Sequence, residues 1–115
     1  MINGAHVVVY SRDAEADRAF LRDVLGFPHV DAGHDWLIFK LPPAEAAVHP
    51  GENDGTELYL MCDDLAATLD ELTAKGVEIA QPISEAGWGS RAAIKLPSGA
   101  DLALYEPHHP VAYDL

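Results

Sequence analysis

Residues 57–83 read ELYLMCDDLAATLDELTAKGVEIAQPI, and their alternation of patterns sets the fold. The short apolar run ELYLMC at 57–62 predicts a strand. Asp63 and Asp64 follow, the kind of short acidic residues that accept orphaned amides at a helix start. Leu65, Leu69 and Leu72 then share one face at helical spacing, predicting a helix over 65–75 that Gly76 ends. Residues 77–83 return to a strand pattern, and 91–96 and 101–106 add two more. The order is β-α-β-β-β.

The preceding half carries the same order. Residues 5–10 (AHVVVY) are β-branched and predict a strand. Ser11 or Asp13 offers a cap, and Ala16, Phe20, Leu21 and Val24 give a helix over 14–25 that stops at Gly26. Strands follow at 27–32 and 36–41 around a Gly33 turn. Pro42-Pro43 interrupts the chain, 44–49 forms a further short strand, and PGENDG at 50–55 is a loop. Several matches support a duplication. Lys40-Leu41-Pro42 recurs as Lys95-Leu96-Pro97, Asp13 corresponds to Asp64, Gly26 to Gly76, and His49-Pro50 to Glu106-Pro107. The expectation is an α+β fold in a single domain over 1–115. Unit one covers about 1–50, unit two about 56–107, and a C-terminal tail 108–115.

With 115 residues, 49% of them hydrophobic, the chain can bury a true core. Nineteen acidic residues against seven basic ones give a formal charge of −12. Such a surface repels phosphate backbones and anionic lipid, so neither nucleic acid nor membrane is an expected partner. The one cysteine, Cys62, cannot form an internal disulfide or a paired-cysteine metal site and reads as packing. No signal peptide is expected at the N-terminus, and no apolar run reaches the length of a membrane span. A reducing, cytoplasmic setting is the expectation.

On the duplicated pattern, His6 opens the first strand of unit one and Glu57 that of unit two. His49 closes the last strand of unit one, and Glu106 that of unit two. Two imidazoles and two carboxylates suit a divalent cation such as Zn, Ni, Mn, Co or Fe. Strand alternation puts Glu57 on one side with Tyr59 and Met61, while Val7, Val9, Leu58 and Leu60 face the helices. Each position also has a plain structural reading. His6 can be a strand-end histidine bonded to backbone, His49 a loop start before Pro50, and Glu57 a solvated acid. Trp36 and Trp88 either line a pocket or cap a core. Arg91 either orients a substrate carboxylate or enolate or pairs with a neighbouring acid. His29 and His34 read as surface, or else as pocket rim, and the paired His108 and His109 of the tail as solvated rather than coordinating.

The opening His6 strand, Asp64-Leu65, Gly76-Val77 and the closing LPSGADLALYEP at 96–107 together resemble the glyoxalase, bleomycin-resistance and extradiol-dioxygenase superfamily, the vicinal oxygen chelate proteins. The resemblance implies two βαβββ units paired edge to edge in a cupped mixed sheet, with helices on the outer face, and a homodimer. It also implies a divalent metal held by the first and last strands, with His6 and Glu106 among its ligands. Glu57 stands where many metal-using relatives carry His, and His49 where the lactoylglutathione-lyase type carries Glu. These swaps keep the two-His, two-carboxylate complement.

The leading expectation is a metal-dependent enzyme on a small vicinal-oxygen substrate. The metal would act as a Lewis acid, and Glu57 or Glu106 would move the proton of a lyase-like isomerisation. The alternative is a metal-free protein that sequesters a drug or metabolite between Trp36, Trp88 and Tyr59. An extradiol-type dioxygenase ranks third, because a fourth anionic ligand would crowd its open metal face. No basic cluster suits glutathione's carboxylates.

Overall fold

The computed structural model describes residues 6, 7, 9, 11–45, 47, 52 and 57–112. Its elements run α1 (Ala14–Asp23), β1 (His29–Asp31), β2 (Leu37–Phe39), β3 (Tyr59–Met61), α2 (Leu65–Ala74), β4 (Ile79–Ala86), β5 (Gly89–Lys95) and β6 (Asp101–Pro107). The second unit is therefore a complete βαβββ, as the sequence predicts. In the first unit the helix and the two middle strands are seen. His49 and most of the expected strands at 5–10 and 44–49 lie outside the described residues. The residues described there, His6, Val7, Val9, Ala44, Glu45 and Ala47, carry no regular structure. Val7 and Val9 are exposed, so they do not meet the helices as alternation suggests.

Both helices form for the same local reasons. Asp13 Oδ1 accepts from Ala16 N (3.1 Å) and Asp64 Oδ1 from Ala67 N (3.0 Å), satisfying first-turn amides. At the far end of α2, Gly76 adopts φ +85°. Its N–H donates to the Thr73 carbonyl, and the Val77 N–H to that of Leu72. This paired closure needs a residue that tolerates the left-handed region. Gly26 turns the chain out of α1 in the same conformation.

β3, β6, β5 and β4 form one mixed sheet in that order, with β3 parallel to β6 and the other neighbours antiparallel. β4 has irregular register between Ile79 and Ser84, around Pro82, which has no N–H to offer the ladder. β1 and β2 make a separate antiparallel ribbon. The core lies between one face of the large sheet and both helices. Phe20 from α1 and Leu65, Leu69 and Leu72 from α2 cluster there with Ala92 and Ile94 of β5 and Leu102 and Leu104 of β6.

A buried carboxylate joins the two units. Asp17 on α1 is 6% exposed. Its Oδ1 accepts from Ser98 N (3.0 Å), and its Oδ2 accepts from Ser98 Oγ and Ser11 Oγ (both 2.7 Å). Ser98 belongs to the turn between β5 and β6, so a single side chain anchors the first helix to the closing hairpin. Its three bonds supply the partners that a buried anion requires.

Candidate functional site

Alternation along the sheet separates a core face from an open one. On β6, Leu102 and Leu104 enter the core, which leaves Ala103 and Tyr105 on the other side. On β3, Leu60 packs against the core and Tyr59 and Met61 face away. On β5, Ala92 and Ile94 are core residues and Arg91 points opposite. The register sets Tyr105 between Met61 and Arg91. Tyr59, Met61, Arg91 and Tyr105 thus share the open face.

Tyr105 is the centre of this face. The Tyr59 ring meets it edge-on at 5.8 Å and the Trp88 ring at 5.2 Å, geometries worth about 1 kcal/mol each beyond area burial. Trp88 reaches this position from the turn between β4 and β5, where its carbonyl accepts from His108 N (2.9 Å). The tail then folds back, and the His109 ring lies 5.7 Å from that of Tyr105. His109 Nδ1 lies 2.7 Å from the Pro110 carbonyl, which can only accept. In the neutral ring, Nε2 is then the acceptor for the Tyr105 hydroxyl. Glu45 holds the same tail, with Oε2 accepting from Ala112 N (2.6 Å). Burial, and secondarily the Glu45 charge, push the Tyr105 phenol up from its ordinary range. His109 is therefore half-buried rather than fully solvated. Its neighbours draw it onto an aromatic ring.

Glu57 and Arg91 stand at the rim of the cluster. Tyr59 OH donates to Glu57 Oε2 (2.9 Å), and this bond raises the Tyr59 phenol, reinforced by burial, while Arg91 pulls the other way. The Arg91 guanidinium lies 5.2 Å from the Trp88 ring centre, a cation–π contact. Its Nε is buried without a hydrogen-bond partner.

The sequence-derived metal set behaves differently. Glu106 Oε1 accepts from Leu65 N (2.8 Å) at the start of α2, and Oε2 lies 3.5 Å from His108 Nε2. A carboxylate suits that position, where unpaired amides and the helix dipole favour negative charge. Leu65 is a core residue, so Glu106 serves the helix side of the sheet, whereas Glu57 sits with Tyr59 on the open side. His6 is exposed and His49 lies outside the described residues. Among the described residues, no three His, Cys, Asp or Glu side chains converge as a metal site. Glu57 and Glu106, the two carboxylates of the set, thus stand on opposite faces of the sheet and do not meet on a single ion.

Trp36 also departs from the expected pocket. It is 62% exposed, and the Arg18 guanidinium of α1 covers its ring at 4.8 Å, because it belongs to the separate ribbon. Burial raises the Cys62 thiol, in keeping with its packing against the core. An open cleft of about 490 Å3 on the helix side, lined by Phe20, Val24, Lys75 and Val77 among others, offers no comparable group. Lys95 at its edge is already paired with Asp101.

The profile of the Glyoxalase/Bleomycin resistance protein/Dioxygenase superfamily matches residues 4–104. The chain belongs to this superfamily. No curated protein matches it significantly, but solved structures share the superfamily's fold. A lactoylglutathione lyase from Agrobacterium tumefaciens superposes with a TM-score of 0.64 at 18% identity, covering 90% of this chain and 92% of that one. TnmS3, an antibiotic binding protein from Streptomyces sp. CB03234, gives 0.64 at 23% identity, covering 93% and 99%. A superfamily member from Sphaerobacter thermophilus gives 0.62 at 22%, covering 91% and 98%. At these identities the likeness extends to the fold alone. Enzymes and binding proteins of the superfamily share it, so the side chains on the open face must decide between them. Tyr105 and His109 are absent from the sequence-derived candidates. Alternation along LALYE at 102–106 marks Tyr105, since it cannot share a face with Leu102 and Leu104.

Proposed function

We propose that this superfamily member is a small-molecule-binding protein that holds a planar ligand against an aromatic face formed by Tyr59 and Trp88 over the buried Tyr105. The observation that carries this reading is the edge-on packing of Tyr59 and Trp88 around Tyr105 on the side of the sheet turned away from the helices. Rings held by neighbouring rings present a rigid apolar wall with little side-chain entropy left to lose on binding. The antibiotic-binding relative supports the same reading by fold. The cytoplasmic setting belongs to the proposal.

Trp36→Phe leaves Trp88 as the only tryptophan. A planar polycyclic probe such as an anthraquinone should quench its fluorescence saturably, with the same midpoint in EDTA. Tyr59→Ala in that background should weaken binding at least tenfold. Quenching that disappears with chelator, or is indifferent to Tyr59, would overturn the proposal. A metal-dependent lyase or dioxygenase using His6, His49, Glu57 and Glu106 finds no supporting geometry among the described residues. Stoichiometric Ni, Zn, Mn or Fe in protein purified without chelator would restore it.

A homodimer forms part of the same proposal. The β1–β2 ribbon leaves Val30, Trp36 and Ile38 exposed, and two strands alone are marginal in water. Sedimentation equilibrium should return twice the monomer mass, and a monomer at micromolar concentration would refute this part.

A further inference from the structure

We infer that Arg91 is the anion-binding residue of the aromatic face, and that the ligand is a planar aromatic carboxylate. This rests on the binding function proposed above and adds the chemical class of the ligand. Among nineteen acidic and seven basic residues, a cation has no shortage of partners. Arg22 pairs with Asp23 at 2.7 Å, Lys95 with Asp101 at 2.5 Å and Lys75 with Glu71 at 3.9 Å. Arg91, like Arg12, Arg18 and Lys40, has no ion pair among the described residues, but of these four it alone has a buried nitrogen, Nε, without an acceptor. A guanidinium left so is costly, because a buried unsatisfied donor forfeits its hydration without replacement.

The neighbouring acid does not relieve it, since Glu57 directs Oε2 to the Tyr59 hydroxyl. What supports Arg91 is the Trp88 ring, which holds the guanidinium beside the aromatic wall. The register places Arg91 directly across from Tyr105. A flat aromatic acid resting against Tyr59 and Trp88, whose rings cover the buried Tyr105, would bring its carboxylate to the planar guanidinium fork, which matches that shape in a bidentate contact. The ring contacts then give affinity, and Arg91 discriminates acid from neutral isostere.

The test is calorimetric titration of the full chain with 2-naphthoate and with 2-naphthamide, which share shape but not charge. Wild-type protein should bind the acid at least tenfold more tightly. Arg91→Gln should bring the two to within about twofold, while Arg91→Lys keeps part of the preference. Circular dichroism of both variants checks folding, and the wild-type contrast decides the matter even if a variant fails to fold. Equal binding of acid and amide, or a preference for the amide, overturns the anion assignment and leaves the binding function standing. If neither probe binds but an uncharged anthraquinone quenches Trp88, the anion assignment again falls alone. If no planar aromatic binds, both fall.

Discussion

Replacing Asp17 with alanine is expected to lower the unfolding free energy by about 3 kcal/mol. The size follows from what is removed and what is left behind. Hydrogen bonds to a charged group contribute roughly 1.5–3 kcal/mol each, and bonds to one shared group do not add in full. Asp17 accepts three. Alanine would leave the part-buried Ser98 amide and two serine hydroxyls without their acceptor. Asp17→Asn should cost about half as much, since its amide oxygen can still accept from Ser98 N and serine hydroxyls can rotate to accept from its NH2. Urea denaturation followed by circular dichroism measures both. A loss below about 1 kcal/mol for the alanine variant would mean that the joint between α1 and the β5–β6 turn is not what holds the halves together.

Gly89→Ala is the second large effect, and it reaches the site. An ideal Cβ at Gly89 would fall 2.5 Å from the Glu106 carbonyl oxygen and closer still to the Tyr105 ring. The carbonyl belongs to the β5–β6 ladder, so that overlap strains the ladder, and the Tyr105 ring must yield as well. Overpacking of this kind costs about 1–3 kcal/mol, and displacing Tyr105 would remove the ring that Tyr59 and Trp88 pack against. The expected result is a destabilisation of about 2 kcal/mol with at least tenfold weaker binding of a planar aromatic probe. Gly87→Ala is the control, because a Cβ there meets nothing within 4 Å. Its stability and binding should stay near wild type. If Gly89→Ala binds the probe normally, Tyr105 is not the centre of the ligand face.

The helices and the closing hairpin are legible in the sequence because their signals are local. Asp13 and Asp64 cap, Gly26 and Gly76 terminate, and Leu65, Leu69 and Leu72 give α2 its buried face. The site is less legible. Matching His49-Pro50 with Glu106-Pro107 assigns Glu106 by its place in a repeat, whereas its side is set by strand alternation, which groups it with Leu102 and Leu104 rather than with Tyr105. Trp36 reads as a counterpart of Trp88, but it stands on a separate ribbon against Arg18. Asp17 is invisible as a joint because its partner Ser98 is 81 positions away. No local pattern encodes such a meeting. Tyr59 and Met61 are correctly placed opposite Leu60 by alternation alone, since that rule needs only the strand and one core residue to fix its phase.

Neighbouring residues on β6 answer to different demands. Leu102, Leu104 and Glu106 serve the core and the start of α2, while Ala103 and Tyr105 lie on the opposite face, Tyr105 buried there beneath Tyr59 and Trp88. Selection can therefore rewrite every second letter of this strand, altering what the protein recognises, while the intervening letters keep the architecture intact. A scaffold wired in this way can diversify its chemistry without first having to learn to fold again.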